Sequence, residues 1–440
     1  MNARSPGAPK SRFPEHRFHA PTFAAAELAW TKMSRSLCAV GTLWLVGLAS
    51  TGAVAAQSAA DAAMPTIRLA VEAAWSRSAA GRAAGARRDA LAARRDAAAS
   101  WTPEPPSMTV SQRSDRFNRN DGMRELEAEL EVPLWMPGTR AAAAAVAAAE
   151  GDALDAGLER DRLDIAGEVR EAVWSLRLAQ NDIEANRRRV AEAEALAADV
   201  QRRVDAGELA RIDANGARAA LQQARAAQAE AESRLAREQR LFRALTGLTE
   251  IPADNETAPA DSDIDRHPAL VGWRRAADAA RARVHEANAA TRDAPELIVG
   301  FTRERGEVGA RYENTTTIGV RVPFGTDARN RPRIGAANAE WVEAEALAAQ
   351  QRERLLAERD AARDELEQAR RVVDFAAERA RLAADTQQLL AKAFDLGEID
   401  LPTRLRAENE RFDAELALGR ARLELARAAS RLNQASGLLP

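Results

Sequence analysis

The chain has 440 residues, enough for two or three ordinary domains, yet 46% hydrophobic content with only 4% aromatic residues excludes thick aromatic cores and favours long, closely packed helices. The 63 basic and 66 acidic side chains nearly balance at a net charge of −3, which gives no footprint for nucleic acid. The single cysteine, Cys38, lies in surroundings that look like an export signal.

Residues 1–32 carry Pro, Arg and His without pattern and read as an extension before a true start at Met33. Lys32 and Arg35 precede an apolar run from Leu37 to Leu48, and Ala53-Val54-Ala55-Ala56 offers a small-residue cleavage site before Gln57. Residues 33–56 are therefore expected to be a signal peptide. Cys38 opens the apolar run instead of following it, so it leaves with the leader and does not suit lipid attachment. The alternative, an amino-terminal membrane anchor, asks for a longer run, and no later stretch approaches the roughly 20 apolar residues of a membrane helix. An exported chain of this kind is either soluble or a β-barrel.

From Thr66 to about Ser100 the sequence predicts a helix, stopped by Pro103, Pro105 and Pro106. Ser107 to Phe117 alternates weakly, and Asn118-Arg119-Asn120-Asp121-Gly122 is a polar turn cluster. Arg124 to Leu134 reads RELEAELEVPL: Glu125, Glu127, Glu129 and Glu131 fall on one side of a period-two pattern, and Leu126, Ala128, Leu130, Val132 and Leu134 on the other. That is a strand with one wet and one apolar face. Trp135 and Pro137-Gly138 mark the change to a helix that nothing breaks before Gly207, about 69 residues or roughly 100 Å. Gly207-Glu208-Leu209 is a turn, and a second helix runs from about Arg211 to Thr246 and ends at Gly247. Residues 251–264, rich in Pro, Asp, Thr and Ser, are a linker.

The second half repeats the plan: a helix from about Asp265 to Arg292, a strand through Leu297, Val299 and Phe301, a charged loop from Arg305 to Asn314, and a strand from Thr315 to Phe324. A helix of about 70 residues then runs towards Leu396, turns at Gly397, and returns from Pro402 to Gly437. Val132-Pro133-Leu134 returns 190 residues later as Val322-Pro323-Phe324, Gly207-Glu208-Leu209 as Gly397-Glu398-Ile399, and Gly247 as Gly437. The chain is an internal duplication, with residues 57–250 as the first repeat, 251–264 as the linker and 265–440 as the second. In each half two short helices match one long helix in length and can lie end to end beside it. The expected fold is mainly α with a small β part: duplicated helical hairpins forming a long α-helical barrel, with strand hairpins at one end and Gly-Glu turns at the other.

Four strands cannot close a membrane barrel, which takes about eight, and open edges are not tolerated in lipid. Copies of the chain must share one barrel, and three would supply twelve strands. The apolar faces would meet lipid, with Trp135 and Phe324 near one interface and Phe117 and Tyr312 near the other.

The paired hairpins, the long helices, the Val-Pro-Leu/Phe strand ends, the Gly-Glu-Leu/Ile turns and the Leu-Thr-Gly/Ala-Ser-Gly helix ends together resemble the TolC family of outer-membrane efflux channels, from about Thr66 to Leu439. The compact length and the missing lipid-attachment cysteine are closer to its heavy-metal (cobalt, zinc, cadmium) branch. The resemblance implies a homotrimer in the bacterial outer membrane with its helical barrel in the periplasm: a passive exit duct that meets a periplasmic adaptor and an inner-membrane pump. It also implies that Gly207, Glu208, Leu209, Gly397, Glu398 and Ile399 are the tips that meet the adaptor, although a helical hairpin needs a glycine to turn whether or not anything docks there. Asp213, six residues beyond Gly207, matches the acids that constrict such channels; its counterpart Thr403 does not, and Asp400 with Glu398 would have to substitute.

Three copies of Glu125, Glu127, Glu129 and Glu131 would line the lumen and attract cations, part of the field being neutralised by Arg321. The plainer reading is that a barrel interior is polar in any case. Catalysis finds no candidate residues. After export only His267 and His285 remain, with no cysteine, so neither a bound metal nor a cofactor is expected. His267-Pro268 is expected to start a helix. The rival class is a periplasmic coiled-coil adaptor or structural rod, which would show one hairpin and no lipid-facing strands.

Overall fold

The computed structural model describes residues 65–259 and 262–440. The expected extension and signal peptide lie outside them. Seven helices and four strands follow in order among the described residues: α1 (Ile67–Arg77), α2 (Ala79–Ala99), β1 (Ser107–Ser114), β2 (Arg124–Pro133), α3 (Thr139–Asp205), α4 (Arg211–Thr246), α5 (Pro268–Ala289), β3 (Glu296–Arg305), β4 (Glu313–Arg321), α6 (Asp327–Asp395) and α7 (Leu401–Ala435). The strands form one antiparallel sheet in the order β1-β2-β3-β4, so the two hairpins join edge to edge through β2 and β3.

The 67 residues of α3 and 69 of α6 are rods of about 100 Å. Alanine carries them, because it loses no side-chain entropy in a helix and lets neighbouring helices approach closely. Each rod ends in a left-handed glycine, Gly207 at φ 83° and Gly397 at φ 78°, and each returning helix ends in another, Gly247 at 78° and Gly437 at 75°. A side chain at these positions would strain the backbone, which is why the turns recur as Gly.

The structure departs from the sequence reading in several places. The helix expected from Thr66 to Ser100 breaks at Ser78, whose extended backbone (φ −66°, ψ 154°) ends α1 and caps α2; its Oγ accepts from the Gly81 N–H at 2.9 Å and donates to the Trp75 carbonyl at 2.8 Å. One serine thus serves both helix ends, a competition that helical periodicity does not register. The strand expected over Thr315–Phe324 runs instead over Glu313–Arg321, since Pro323 has no N–H to give a ladder. A short 3-10 turn, Ile264–Arg266, precedes α5, which starts at Pro268 with His267 as its cap.

The part of the linker that is described is tightly held. Arg170 on α3, 3% exposed, donates through Nε to Glu256 Oε2 at 2.9 Å and through Nη2 to Glu256 Oε1 at 2.6 Å and the Leu438 carbonyl at 2.9 Å, and it also reaches Gln434. Ser430 donates to the same carboxylate. Arg177 holds the Asp254 carbonyl at 2.7 Å and Asn255 Oδ1 at 2.8 Å, while the Asp254 carboxylate accepts from the Ile67 N–H at 3.0 Å at the start of α1. A fully satisfied buried network of this kind costs desolvation but fixes one arrangement, and losing one partner would strand a charge. Beside it Ile67, Val71, Val169, Val173, Leu176 and Phe242 form the largest apolar cluster, where α1, α3 and α4 meet. Each large side chain fully buried there contributes roughly 1.5–3 kcal/mol.

His267 caps α5 as a neutral imidazole: its Nδ1 accepts from the Ala269 N–H at 3.2 Å, and the side chain is buried. Burial holds its pKa below the ordinary imidazole value, against the opposing pull of the Gln434 carbonyl and Glu358. The unfolded chain therefore binds the proton more readily, so this contribution to stability is complete above about pH 6.5 and is lost as pH falls below it. His267→Asn keeps a capping acceptor without a titrating group. Its thermal midpoint is expected to fall less than that of the wild type between pH 7 and about pH 5; parallel curves would show that His267 is not responsible.

Candidate functional site: an acid-lined sheet on a helical duct

Cross-strand register decides what each face of the sheet presents. Glu125, Glu127, Glu129 and Glu131 stand opposite Arg113, Ser111, Thr109 and Ser107 on one side and Glu304, Thr302, Gly300 and Ile298 on the other. On β4 the same face carries Glu313, Thr315, Thr317, Gly319 and Arg321. The four glutamates noted in the sequence thus share their face with Glu296, Glu304 and Glu313, against only Arg113 and Arg321. Those three were missed because acids scattered along β3 and β4 make no pattern until register places them.

The acids are not equivalent. Glu125 pairs with Arg113 at 3.1 Å, Glu127 accepts from Ser111 Oγ at 3.2 Å, and Glu131 accepts from Ser107 Oγ at 3.1 Å. Arg321 bridges Glu131 at 3.1 Å and Glu296 at 2.7 Å, neutralising one end of the patch only. The Glu129 carboxylate, opposite Thr109 and Gly300, has neither hydrogen bond nor ion pair among the described residues.

Between the helices and the loop-end rows the opposite face is largely apolar and bare. Met108, Val110, Leu126, Leu130, Val299, Phe301, Ile318 and Val320 are all exposed, Ile318 at 75% and Met108 at 72%. A water-soluble protein does not leave a whole sheet face of this kind uncovered. No described helix is long and apolar enough to cross a membrane. Trp135, expected near an interface, is half-buried, and its indole donates to the Ser100 carbonyl at 3.0 Å, so it staples the junction between sheet and helices, whereas Trp101 is 94% exposed. Phe324 and Phe117 are exposed, at the ends of β4 and β1.

At the far end of the rods the two turns are not independent loops. Leu209 and Ile399 pack on one cluster of Leu196, Val200, Ala217, Phe394 and Leu401, which draws both hairpins together. Phe394 lies between two guanidiniums, Arg203 at 5.1 Å and Arg404 at 4.9 Å from the ring centre. Arg203 also binds Glu208 at 3.3 Å, and Arg404 binds Asp395 and Glu408 at 3.2 Å each. Gly207, Glu208, Gly397 and Glu398 are left exposed at the very end. Asp213 accepts from the Ala210 N–H at 3.1 Å and Asp400 from the Thr403 N–H at 3.0 Å, so both acids cap their helices; the Thr403 hydrogen bonds hold the Asp400 carboxyl below its usual range. Among the described residues no group of three or more His, Cys, Asp or Glu side chains is placed to hold a metal.

An open sheet with one lipid-type face, continued by paired helical rods, defines a subunit of a shared membrane β-barrel carried on an α-helical duct. Solved structures have the same architecture. A membrane protein from Pseudomonas aeruginosa superposes with a TM-score of 0.69 at 18% identity, over 84% of this chain and 90% of that one. The outer membrane channel CmeC of Campylobacter jejuni gives 0.69 at 15%, over 84% and 85%. The outer membrane protein VceC of Vibrio cholerae gives 0.68 at 17%, over 84% and 96%. At these identities the likeness is one of fold. No curated protein matches the sequence. Residues 50–248 match the family model described as outer membrane efflux protein. Over that stretch the chain is similar to the outer membrane efflux proteins, and its fold is theirs along most of its length.

Phe394→Ala removes the ring that both arginines clasp and is expected to cost about 3–5 kcal/mol locally. Hydrogen exchange should then accelerate at residues 203–209 and 395–401 together; acceleration in one turn alone would mean the two hairpins are not coupled through this ring.

Proposed function

We propose that this chain is the outer-membrane duct of a tripartite efflux system, passing cargo that an inner-membrane pump delivers through a periplasmic adaptor. The observation that carries this is the sheet: acids on one face, bare aliphatics on the other, and two unpaired edges, β1 and β4, that only further copies of the chain can satisfy. Three copies joined β1 to β4 make a twelve-stranded barrel. A soluble adaptor or rod has no use for such a face, which removes the rival class. The duct performs no chemistry of its own; the energy comes from the pump.

Within this function, the lumen favours cations. Seven carboxylates against two guanidiniums per chain, multiplied by symmetry and confined in a narrow pore, raise the local cation concentration. The outermost residues at the tips, Gly207, Glu208, Gly397 and Glu398, meet the adaptor, with Leu209 and Ile399 holding the two turns at a set spacing. Asp213 and Asp400 border the periplasmic aperture, where helix capping already fixes their direction. Residues 57–250 and 265–440 act as two repeats of one plan, each contributing one hairpin to the barrel and one turn to the tip.

Replacing Glu125, Glu127, Glu129 and Glu131 together with Gln should lower the cation-to-anion permeability ratio by about twofold or more in planar bilayers; an unchanged reversal potential would end the cation proposal. Gly207→Arg puts a long cation at φ 83° on the exposed turn. It should abolish crosslinking to the adaptor in cells while trimers persist on gels, and retained crosslinking would count against docking there.

A further inference from the structure

The bare face of the sheet is not apolar over its whole height. Beyond the aliphatic rows, at the end carrying the hairpin loops, register brings Gln112, Leu126, Arg303 and Asn314 into one row and Ser114, Arg124 and Arg305 into the next. Three arginines therefore stand on the outward face of β2 and β3 in two successive rows, and no acid occupies that face on any of the four strands.

Their surroundings set them apart from the arginines inside. Arg113 and Arg321, on the lumen face, are both ion-paired to glutamates. Arg124, Arg303 and Arg305 have no carboxylate partner among the described residues. Arg124 donates to Ser114 Oγ, and Arg305 Nε to the Gly122 carbonyl at 3.2 Å. Arg303 and Arg305 both stack on Tyr312, at 4.5 Å and 5.2 Å from the ring centre, and Tyr312 is itself exposed. A ring clasped by two guanidiniums holds them against the barrel wall while leaving their Nη groups available, the arrangement that suits planar recognition of a phosphate. Charge on a lipid-facing strand is tolerated only near an interface, which puts this row at headgroup level directly above the aliphatic belt.

We propose that Arg124, Arg303 and Arg305, with Tyr312, form an outward-facing site for the phosphoryl groups of outer-leaflet lipid headgroups. The proposal rests on the barrel reading above, which puts the loop end of the sheet at the outer leaflet and the helices in the periplasm. The occupant follows from continuity: the acyl chains that cover Phe301, Val299 and Ile318 end in headgroups at the next rows up, and those rows are cationic. The site ties lipid to β2 and β3, the strands through which the two hairpins join.

The test uses the full-chain trimer, purified in detergent and stripped of lipid, with diphosphoryl lipid A as probe and bound lipid counted by native mass spectrometry during titration. Wild type is expected to bind it, and Arg303→Gln with Arg305→Gln to weaken binding about tenfold or more, as should removal of the phosphates from the probe. Arg113→Gln, on the lumen face, should leave lipid binding as it was. Equal binding by the double variant, or equal binding of dephosphorylated lipid A, overturns the proposal; displacement of lipid A by millimolar inorganic phosphate overturns the lipid as occupant. Should the double variant fail to trimerise, Arg303→Gln alone carries the same comparison, because that side chain makes no hydrogen bond among the described residues. A wild-type chain that neither trimerises nor conducts defeats the duct reading before lipid is added, whereas a conducting trimer indifferent to lipid phosphates defeats only this site.

Discussion

In a hydrocarbon layer every peptide N–H and C=O must find its partner in protein, because no water is there to supply one. The four-stranded sheet meets this demand internally and fails it at two edges, β1 and β4. That deficit shapes the rest of the molecule. Copies must join edge to edge, the sheet must present one face to lipid and the other to a lumen, and the helices that continue the wall must be long and nearly parallel to carry it onward. Alanine-rich rods meet the last condition, since small side chains let helices run side by side as a thin wall.

The same constraint explains where the polar chemistry lies. Acids collect on the face that sees water, and arginines on that face are paired. Below the sheet, the charged groups that are taken out of solvent belong to networks that cross the chain: Arg170 with Glu256, Gln434, Ser430 and the Leu438 carbonyl ties α3 to the linker and to the carboxy-terminal end. Nearby, the carboxyl of Glu171, which burial would push up, is held below its usual range by Arg431 and Arg427. These links fasten the two repeats to each other around the middle of the rods. The apolar cluster with its arginine-clasped Phe394 does the same at the tip, and the β2-β3 ladder at the membrane end. A duct built from two copies of one plan is thus held at three levels by three kinds of interaction.

The loop-end arginines add a fourth condition, at the water-lipid boundary. A barrel shared between chains has no covalent closure, and lipid headgroups fixed along its outer rim would oppose separation of the strands they touch. The outward arginines stand on the inner pair of strands in each chain, away from the edges where chains meet.

Period-two alternation in Arg124–Leu134, the offset of 190 residues, and the glycines at the four helix ends were enough to specify strands, rods, turns and the need for further copies, because each rests on local backbone preference repeated twice. What stayed out of reach depends on residues far apart in sequence. Ser78 breaks a helix that periodicity predicts as continuous, because its hydroxyl competes for the backbone. Glu296, Glu304 and Glu313 join the acidic face, and Arg124, Arg303 and Arg305 the outward one, only through a register that pairs strands some 170 residues apart. Glu256, in a stretch that composition marks as slack, is drawn into the core by Arg170. Local chemistry in the sequence determined the parts and their order; tertiary contact alone decided which charges face water, lipid or one another.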